Sequence, residues 1–516
     1  MGCVHRVPDV SESVANTPLP LRGHARPLSI LLARLVKLRP VYATMLTHDA
    51  FFERVKTEIS RCFEPGEKEY ADRIRVISLG PALFLRSEES DANFKAAWEK
   101  LVAGEPVTCQ KTQTLHSPWP KPQAITIDLF AVDPFQSIKA VSGNTVKVYT
   151  WHCALTYEMF HFWAPEKLGG RGNLRLKAEE EARRTGRPYL EVAGEMSWGG
   201  RGELVQIPAF PPMYDYEYFP QDFPMSLEFV AQIFPRVHET LEASDGVFLF
   251  TAESFEPEAV AAVKAWYGET SRPAYLCGPL LPDSSQAATN EKKLAQGAEE
   301  IEALLETTLK TSGERSLIYI SFGSVFWPVK TPEKMWAVLD VIMELNIPFI
   351  LSHASPLAVV PDDVREKVKA YGKGIISAWT PQQLILDHPA TGWFIAHGGH
   401  NGVMEAVSAG VPQILWPFIA DQPLNAIHMS EKLQIAYELI EVRSGGGLKP
   451  IYRNGRTPKG TIEALKEEVR DVLLKAFGED GAKKRERLLA LREQVIHEWE
   501  EGGASLRDVT AFLDSL

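Results

Sequence analysis

The sequence contains no run of about 18 apolar residues, so no segment is long enough to cross a bilayer as a helix. Residues 1–25 also lack the apolar core of a secretory signal. Cysteine is scarce and odd in number: Cys3, Cys62, Cys109, Cys153 and Cys277 stand far apart and form no CxxC pair. That spacing argues against a disulfide framework and suits a reducing compartment. No Asn-x-Ser/Thr sequon occurs. Together these absences predict a cytoplasmic protein without an integral membrane segment. Positive charge is also short, with 55 Lys and Arg against 67 Asp and Glu and a net charge of −12, which argues against a general nucleic-acid binder. No complete GxGxxG follows a strand, because the clusters at Gly169, Gly199 and Gly445 all miss the spacing. GxSxG, HExxH and any DxD triplet are missing as well. Dinucleotide-dependent redox chemistry, serine or zinc hydrolysis and a DxD-held divalent ion therefore have no support in the sequence.

What the chain does have is length and a βα rhythm. Its 516 residues, 45% of them apolar, suffice for two cores. Strands are expected at Val41–Leu46, Ile74–Leu79, Ala124–Ile127, Val146–Tyr149, Gly246–Phe250 and Ala274–Cys277, with helices between them, an alternation that predicts a parallel sheet. Gly278-Pro279 and the small polar residues after it read as a linker, and Leu317–Ile320 restarts the pattern. The expected division is 1–278 for a first domain, 279–312 for a linker, 313–485 for a second domain and 486–516 for C-terminal helices packing back on the first. Residues 1–21 carry only scattered apolar residues, so the buried strand that should open a doubly wound domain is not evident.

The densest chemistry lies between Trp379 and Asn425. Two short apolar runs, Gly392–Ala396 and Gln413–Trp416, flank His397-Gly-Gly-His-Asn401 and a helix-like Gly402–Ser408. Strand, glycine turn and helix start make an anion site, because glycines let the backbone approach a ligand and the first amides of a helix have no partner. A charged His397, or Asn401, would add donors for a diphosphate. Trp379 offers a face for stacking a base, with Gln382 nearby to bond its edge. Glu405 and the pair Asp421-Gln422 supply groups for sugar hydroxyls. Read singly, each of these residues is as well explained by core packing or helix capping; the ordered set is what points to a sugar nucleotide.

Two further features stand in the first half. Gly23-His24-Ala25-Arg26-Pro27 opens a helical pattern whose apolar face is Leu28, Leu31, Leu32, Leu35 and Val36. At a helix start a histidine is disfavoured from carrying charge, which suits a neutral imidazole that accepts a proton. Asp128 ends an apolar strand, where open α/β sheets place ligand groups, and is the expected partner of His24; Asp133 is a rival. Trp151–Phe223 is irregular, and its aromatic segment MYDYEYF reads equally as an acceptor wall or as core.

The Trp379–Asn425 stretch resembles the signature of the family 1 UDP-dependent glycosyltransferases of plants and fungi. The resemblance implies two doubly wound Rossmann-like α/β domains facing across a cleft, the GT-B architecture, with the acceptor bound by the first domain and the UDP-sugar by the second. It implies that Trp379 stacks on uracil, Gln382 reads its edge, Glu405 holds the ribose, and His397 with the amides of Gly399, His400, Asn401 and Gly402 binds phosphate. Asp421 and Gln422 match the pair that contacts the sugar ring, Ser324 a phosphate contact and Thr150 a donor-sugar contact. His24 and Asp128 match the catalytic base and its partner. His400 stands where many members have Trp, and Gly402 where many have Ser. The activity implied is inverting transfer of a hexose, glucose by the likeness of Gln422, to a hydroxyl of a small apolar acceptor. Neither cofactor nor metal ion is expected to take part, and the protein is expected to act as a monomer. The alternative is a non-catalytic sugar-nucleotide-binding protein of the same fold.

Overall fold

The structure is a computed structural model and describes residues 12–17, 22–81, 88–282 and 297–516. The segment in which no opening strand was evident holds one, Glu12–Thr17 (β1). Its sequence, ESVANT, offers only Val14 and Ala15 as apolar residues, yet Ser13, Asn16 and Thr17 are buried with them. The reason is position: β1 pairs in parallel with Val41–Thr47 (β2) on one side and with Ala124–Asp128 (β4) on the other. Ladder bonds on both edges hold a strand whose side chains contribute little hydrophobic burial.

With Ile74–Ser78 (β3), Lys147–His152 (β5), Gly246–Leu249 (β6) and Ala274–Leu276 (β7), the first sheet runs in the order β7-β6-β5-β4-β1-β2-β3, parallel throughout. The second sheet contains Leu317–Ser321 (β8), Phe349–Ser352 (β9), Gly374–Ser377 (β10), Thr391–Ala396 (β11), Gln413–Leu415 (β12) and Tyr437–Glu438 (β13). Its order is β10-β9-β8-β11-β12-β13, again all parallel. Each sheet therefore reverses its winding beside its own first strand, between β1 and β4 and between β8 and β11. These are the two places where a doubly wound domain opens a crevice at its strand ends. The expected pair of Rossmann-like domains is present.

The helix Ala298–Ser312 falls in the stretch read as linker and packs Ile301 and Leu305 against Leu317, Tyr319 and Ile350 of the second domain. Near the C-terminus, the helix Glu479–Ile496 stays with the second domain, where Arg492 Nε donates to the Ser408 carbonyl at 2.7 Å. The last helix, Ala504–Asp514, crosses back. Asp508 accepts from the Leu276 amide of β7 at 3.1 Å, Ser505 Oγ donates to the Gly278 carbonyl at 2.6 Å, and the Phe512 ring packs on Tyr149 and Phe248. Two tyrosines of MYDYEYF tie the domains together, Tyr216 donating to the Pro450 carbonyl at 2.6 Å and Tyr214 meeting the edge of Tyr452, while Tyr218 is buried core stacked on His161. Among the described residues no helix is long and apolar enough to cross a membrane.

Candidate active site

The two switch points face a common cavity of about 370 Å³. From the first domain comes His24, in the opening turn of the helix Arg22–Leu38 that follows β1. Pro27 lies inside that helix and has no N–H, so the Gly23 carbonyl one turn earlier is left without an intrahelical donor. Asn401 of the second domain supplies one, its Nδ2 lying 2.8 Å from that carbonyl. The helix carrying His24 is thus anchored across the cleft at a position its own sequence leaves open.

Asp128 is the last residue of β4 and is fully buried. Its Oδ2 lies 2.6 Å from His24 Nδ1, while Oδ1 accepts from the Phe130 amide at 3.0 Å. With Nδ1–H given to the carboxylate, Nε2 is the ring's proton acceptor. The expectation of a histidine disfavoured from carrying charge is overturned. Burial is the largest single influence on His24 and works against its protonation, but the charge and hydrogen bond of Asp128, joined by Cys153, together outweigh it, and the imidazole is held well above its ordinary range. The rival Asp133 is engaged elsewhere, by the guanidinium of Arg236.

Cys153 follows β5, and its thiol, pushed up by burial, stays protonated beside the dyad. His24, Asp128 and Cys153 bring three atoms of metal-ligating type within 4.8 Å of one another. His24 Nδ1 and Asp128 Oδ2 are already hydrogen-bonded to each other at 2.6 Å. Cys153 also corrects the expectation for Thr150. Thr150 lies inside β5, fully buried, with its hydroxyl donating to the Gly246 carbonyl at 3.3 Å. It does not reach the cavity; Cys153 and Ala154, at the strand's end, do.

The second domain presents its groups from the loops after β8 and β11. Gly398 has a φ of +87°, and a Cβ on Gly399 would fall 2.6 Å from His397 Nε2, so glycine at both positions lets the turn fold over the imidazole. Burial pushes the His397 pKa down to about 4. The charged donor expected there is therefore a neutral ring. His400 starts the helix His400–Ala409, and burial likewise holds its pKa at about 4. Its Nε2 lies 2.7 Å from the Phe250 carbonyl of the first domain, so its ring joins the domains and only its backbone faces the site. The His400 amide donates to Asp421 Oδ2 at 2.8 Å, leaving the amides of Asn401 and Gly402 without a protein acceptor among the described residues. Ser324, half-buried in the turn after β8, lines the same space.

Asp421 Oδ2 also accepts from Asn425 Nδ2 at 3.1 Å, and burial raises the Asp421 carboxyl to about 6. Gln422 turns its Oε1 to the Phe418 amide at 2.9 Å, and its Nε2 has no protein acceptor among the described residues. Trp379 is half-buried at the cavity wall after β10. Gln382 and Glu405 are joined: Gln382 Nε2 donates to Glu405 Oε2, while Arg26 of the first domain donates to Glu405 Oε1. Sequence reasoning missed Arg26, although the basic residue stands two places after His24 and a carboxylate was awaiting a partner. It missed the acceptor wall as well. Phe130, Trp198, Phe223, Phe229, Ile233 and Phe234 line the cavity beside His24, drawn largely from the helix Leu227–Ala243 and the loops before it.

Comparison with known proteins agrees with this geometry. Residues 223–444 match the family described as UDP-glucoronosyl and UDP-glucosyl transferase. The chain is 29% identical over 506 residues to UDP-glycosyltransferase eriJ of Hericium erinaceus, covering 95% of this chain and 96% of that one. It is 28% identical over 298 residues to the nuatigenin 3-beta-glucosyltransferase of Solanum aculeatissimum, a match spanning 55% of this chain and 56% of its relative. Among solved structures, a transferase of Siraitia grosvenorii in complex with UDP superimposes with a TM-score of 0.66 at 18% identity over 98% of this chain and 99% of that one. A Medicago truncatula transferase complexed with UDP-glucose gives 0.65 at 17% identity, covering 98% of each. The fold is GT-B, and over residues 223–444 the chain is similar to the UDP-glucoronosyl and UDP-glucosyl transferase family.

Proposed function

We propose that this cleft moves glucose from UDP-glucose to a hydroxyl of a small, largely apolar acceptor, with inversion at the anomeric carbon and without a metal ion. The observation that carries this reading is the single cavity shared by the His24–Asp128 pair and the anion-binding helix start at His400–Ala409. His24 Nε2 takes the proton as the acceptor oxygen attacks the anomeric carbon from the face opposite UDP. One displacement inverts that centre. The leaving diphosphate meets the amides of Asn401 and Gly402 together with Ser324, fixed donors that need no reorganisation during the reaction. Trp379 and Gln382 take the uracil, and Glu405 takes the ribose by exchanging its bonds to Arg26 and Gln382 for hydroxyls. Asp421 and Gln422 hold the sugar. The aromatic wall beside His24 suits a flat, apolar acceptor that presents one hydroxyl.

The protein is proposed to act as a monomer, since one chain supplies both halves of the cleft, and in the cytoplasm. Cys109, Cys153 and Cys277 are free and buried, in keeping with a reducing compartment.

Incubating the chain with UDP-glucose and pooled phenolic, sterol and lipid alcohols is expected to give products heavier by one hexose, with undiminished yield in EDTA. UDP binding without transfer to any pool would reject the enzymatic reading, and loss of turnover in EDTA would reject metal independence. Gly402 offers a second check. A Cβ there would meet only Phe394 Cε1, at 4.0 Å, so a serine fits without strain. Gly402→Ser adds a hydroxyl at the diphosphate and is expected to lower KM for UDP-glucose by about 2- to 10-fold, the worth of one hydrogen bond.

A further inference from the structure

A diphosphate is multiply charged, yet the groups assigned to it, the amides of Asn401 and Gly402 and the Ser324 hydroxyl, are neutral. The cavity is otherwise lined by carboxyl groups, those of Glu158, Glu405 and Asp421, and Arg26 is the one lysine or arginine among its described lining residues. Fixed dipoles solvate an anion but leave its net charge uncompensated, and in a buried cleft that charge calls for an opposite one close by. Arg26 is the side chain placed to supply it.

In this structure the guanidinium rests on a group assigned to another part of the donor. It bonds Glu405 Oε1, and its Nε lies 3.5 Å from Glu58 Oε2 on the helix Asp49–Ser60. Both partners can spare it. Glu58 keeps Arg61, whose Nη1 lies 2.9 Å from the same Oε2. Glu405 is the carboxylate assigned to the ribose, whose hydroxyls bring the donors that replace Arg26. The phosphate site is also near. Glu405 stands one turn past Asn401 on the helix His400–Ala409, about 6 Å along its axis. The turn that carries Arg26 is pinned to the start of that helix by the 2.8 Å bond from Asn401 Nδ2 to the Gly23 carbonyl. Rotation of a long, flexible side chain covers such a distance without movement of the backbone.

We propose that Arg26 is the counter-charge of the donor diphosphate, held on Glu405 until the ribose takes that carboxylate and then turned onto the phosphates. This rests on the UDP-sugar reading of the cleft and extends it. Ribose and diphosphate binding are thereby coupled, because the hydroxyls that occupy Glu405 release the cation that the phosphates need. The planar fork of a guanidinium suits two phosphate oxygens at once. In that position it also opposes the charge that builds on UDP as the bond to the sugar breaks.

The test uses equilibrium binding, so it needs no acceptor. The full chain, Arg26→Gln and Arg26→Lys are titrated with UDP and with uridine, which keeps the base and ribose but carries no phosphate. The wild-type preference for UDP over uridine is expected to fall by about tenfold or more in Arg26→Gln and to stay within about threefold in Arg26→Lys, with Kd for uridine within about threefold in both. UDP affinity should also depend less steeply on salt in Arg26→Gln than in the wild-type chain. UDP bound by Arg26→Gln as tightly as by wild type, or more tightly, would make the guanidinium a mere occupant of the ribose site and overturn the assignment. Equal losses for UDP and uridine would show that Arg26 acts through Glu405 or the fold, and would overturn it too, as would an Arg26→Lys chain as weak as Arg26→Gln. Failure of the wild-type chain to bind UDP would instead sink the donor reading itself and this inference with it. A wrong assignment of His24 as base would leave these Kd ratios untouched.

Discussion

Replacing His24 with alanine is expected to lower kcat by about 10²- to 10⁴-fold while leaving Kd for UDP within about twofold, a loss equivalent to about 3–5 kcal/mol of barrier. The split follows from where the groups stand. His24 belongs to the first domain, and its ring bonds Asp128 and Cys153 of that same domain. The groups assigned to uracil, ribose and phosphate come, Arg26 aside, from the second domain and the loops after β8, β10 and β11, so the substitution removes none of them. The Gly23 carbonyl that receives Asn401 is backbone and survives the change. Alanine leaves the acceptor hydroxyl with only water to take its proton, and the apolar wall beside it admits little water. Turnover within about threefold of wild type would remove His24 from the chemistry; loss of UDP binding in parallel would mean that the substitution had disturbed the cleft as a whole.

How much of this was legible in the sequence depended on whether a residue's role is fixed by its neighbours in the chain. His24, Asp128, His397 and Asp421 each sit at the end of a strand or the start of a helix, so apolar runs and turns located them. β1 was not legible because its burial comes from pairing on both edges, and ESVANT has no apolar alternation to show it. Strands β9 and β10 were not singled out either, since nothing chemical marks them. Thr150 was placed one turn of reasoning too early: counting along the strand reached a residue still inside it, whereas the group that enters the cavity is Cys153, after its end. The states of His24 and His397 ran opposite to local expectation because both are set by groups distant in sequence, a buried carboxylate 104 positions away for one and an apolar enclosure for the other. Arg26 was invisible for the same reason: an arginine in a helix start acquires meaning only when Glu405 of the second domain meets it.

The role of Asp128 can be separated from that of His24 by pH. In the wild-type chain the imidazole must be neutral to accept a proton, and the buried carboxylate holds its pKa well above the ordinary 6.5. kcat/KM for the acceptor is therefore expected to climb with pH along a limb above that value. Asp128→Asn keeps an oxygen that can receive Nδ1–H, and with it the ring's orientation, but removes the charge. The limb should move to lower pH, and the plateau should fall by about 10²-fold or more, because the imidazolium formed in the transition state loses its counter-charge. The deficit is then largest on the alkaline plateau and shrinks as pH falls, since the wild-type base is protonated first. Burial of Asp421, whose carboxyl is raised to about 6, contributes a limb common to both proteins and cancels in the ratio. Stability should follow the same pair. A histidine whose folded pKa lies above its unfolded value adds stability that is complete below about 6.5 and is lost as pH rises through the folded pKa. The gap in Tm between wild type and Asp128→Asn is accordingly expected to widen toward acid pH. A mutant with an unshifted limb and a Tm gap independent of pH would show that Asp128 only fills its site beneath the imidazole and does not tune it.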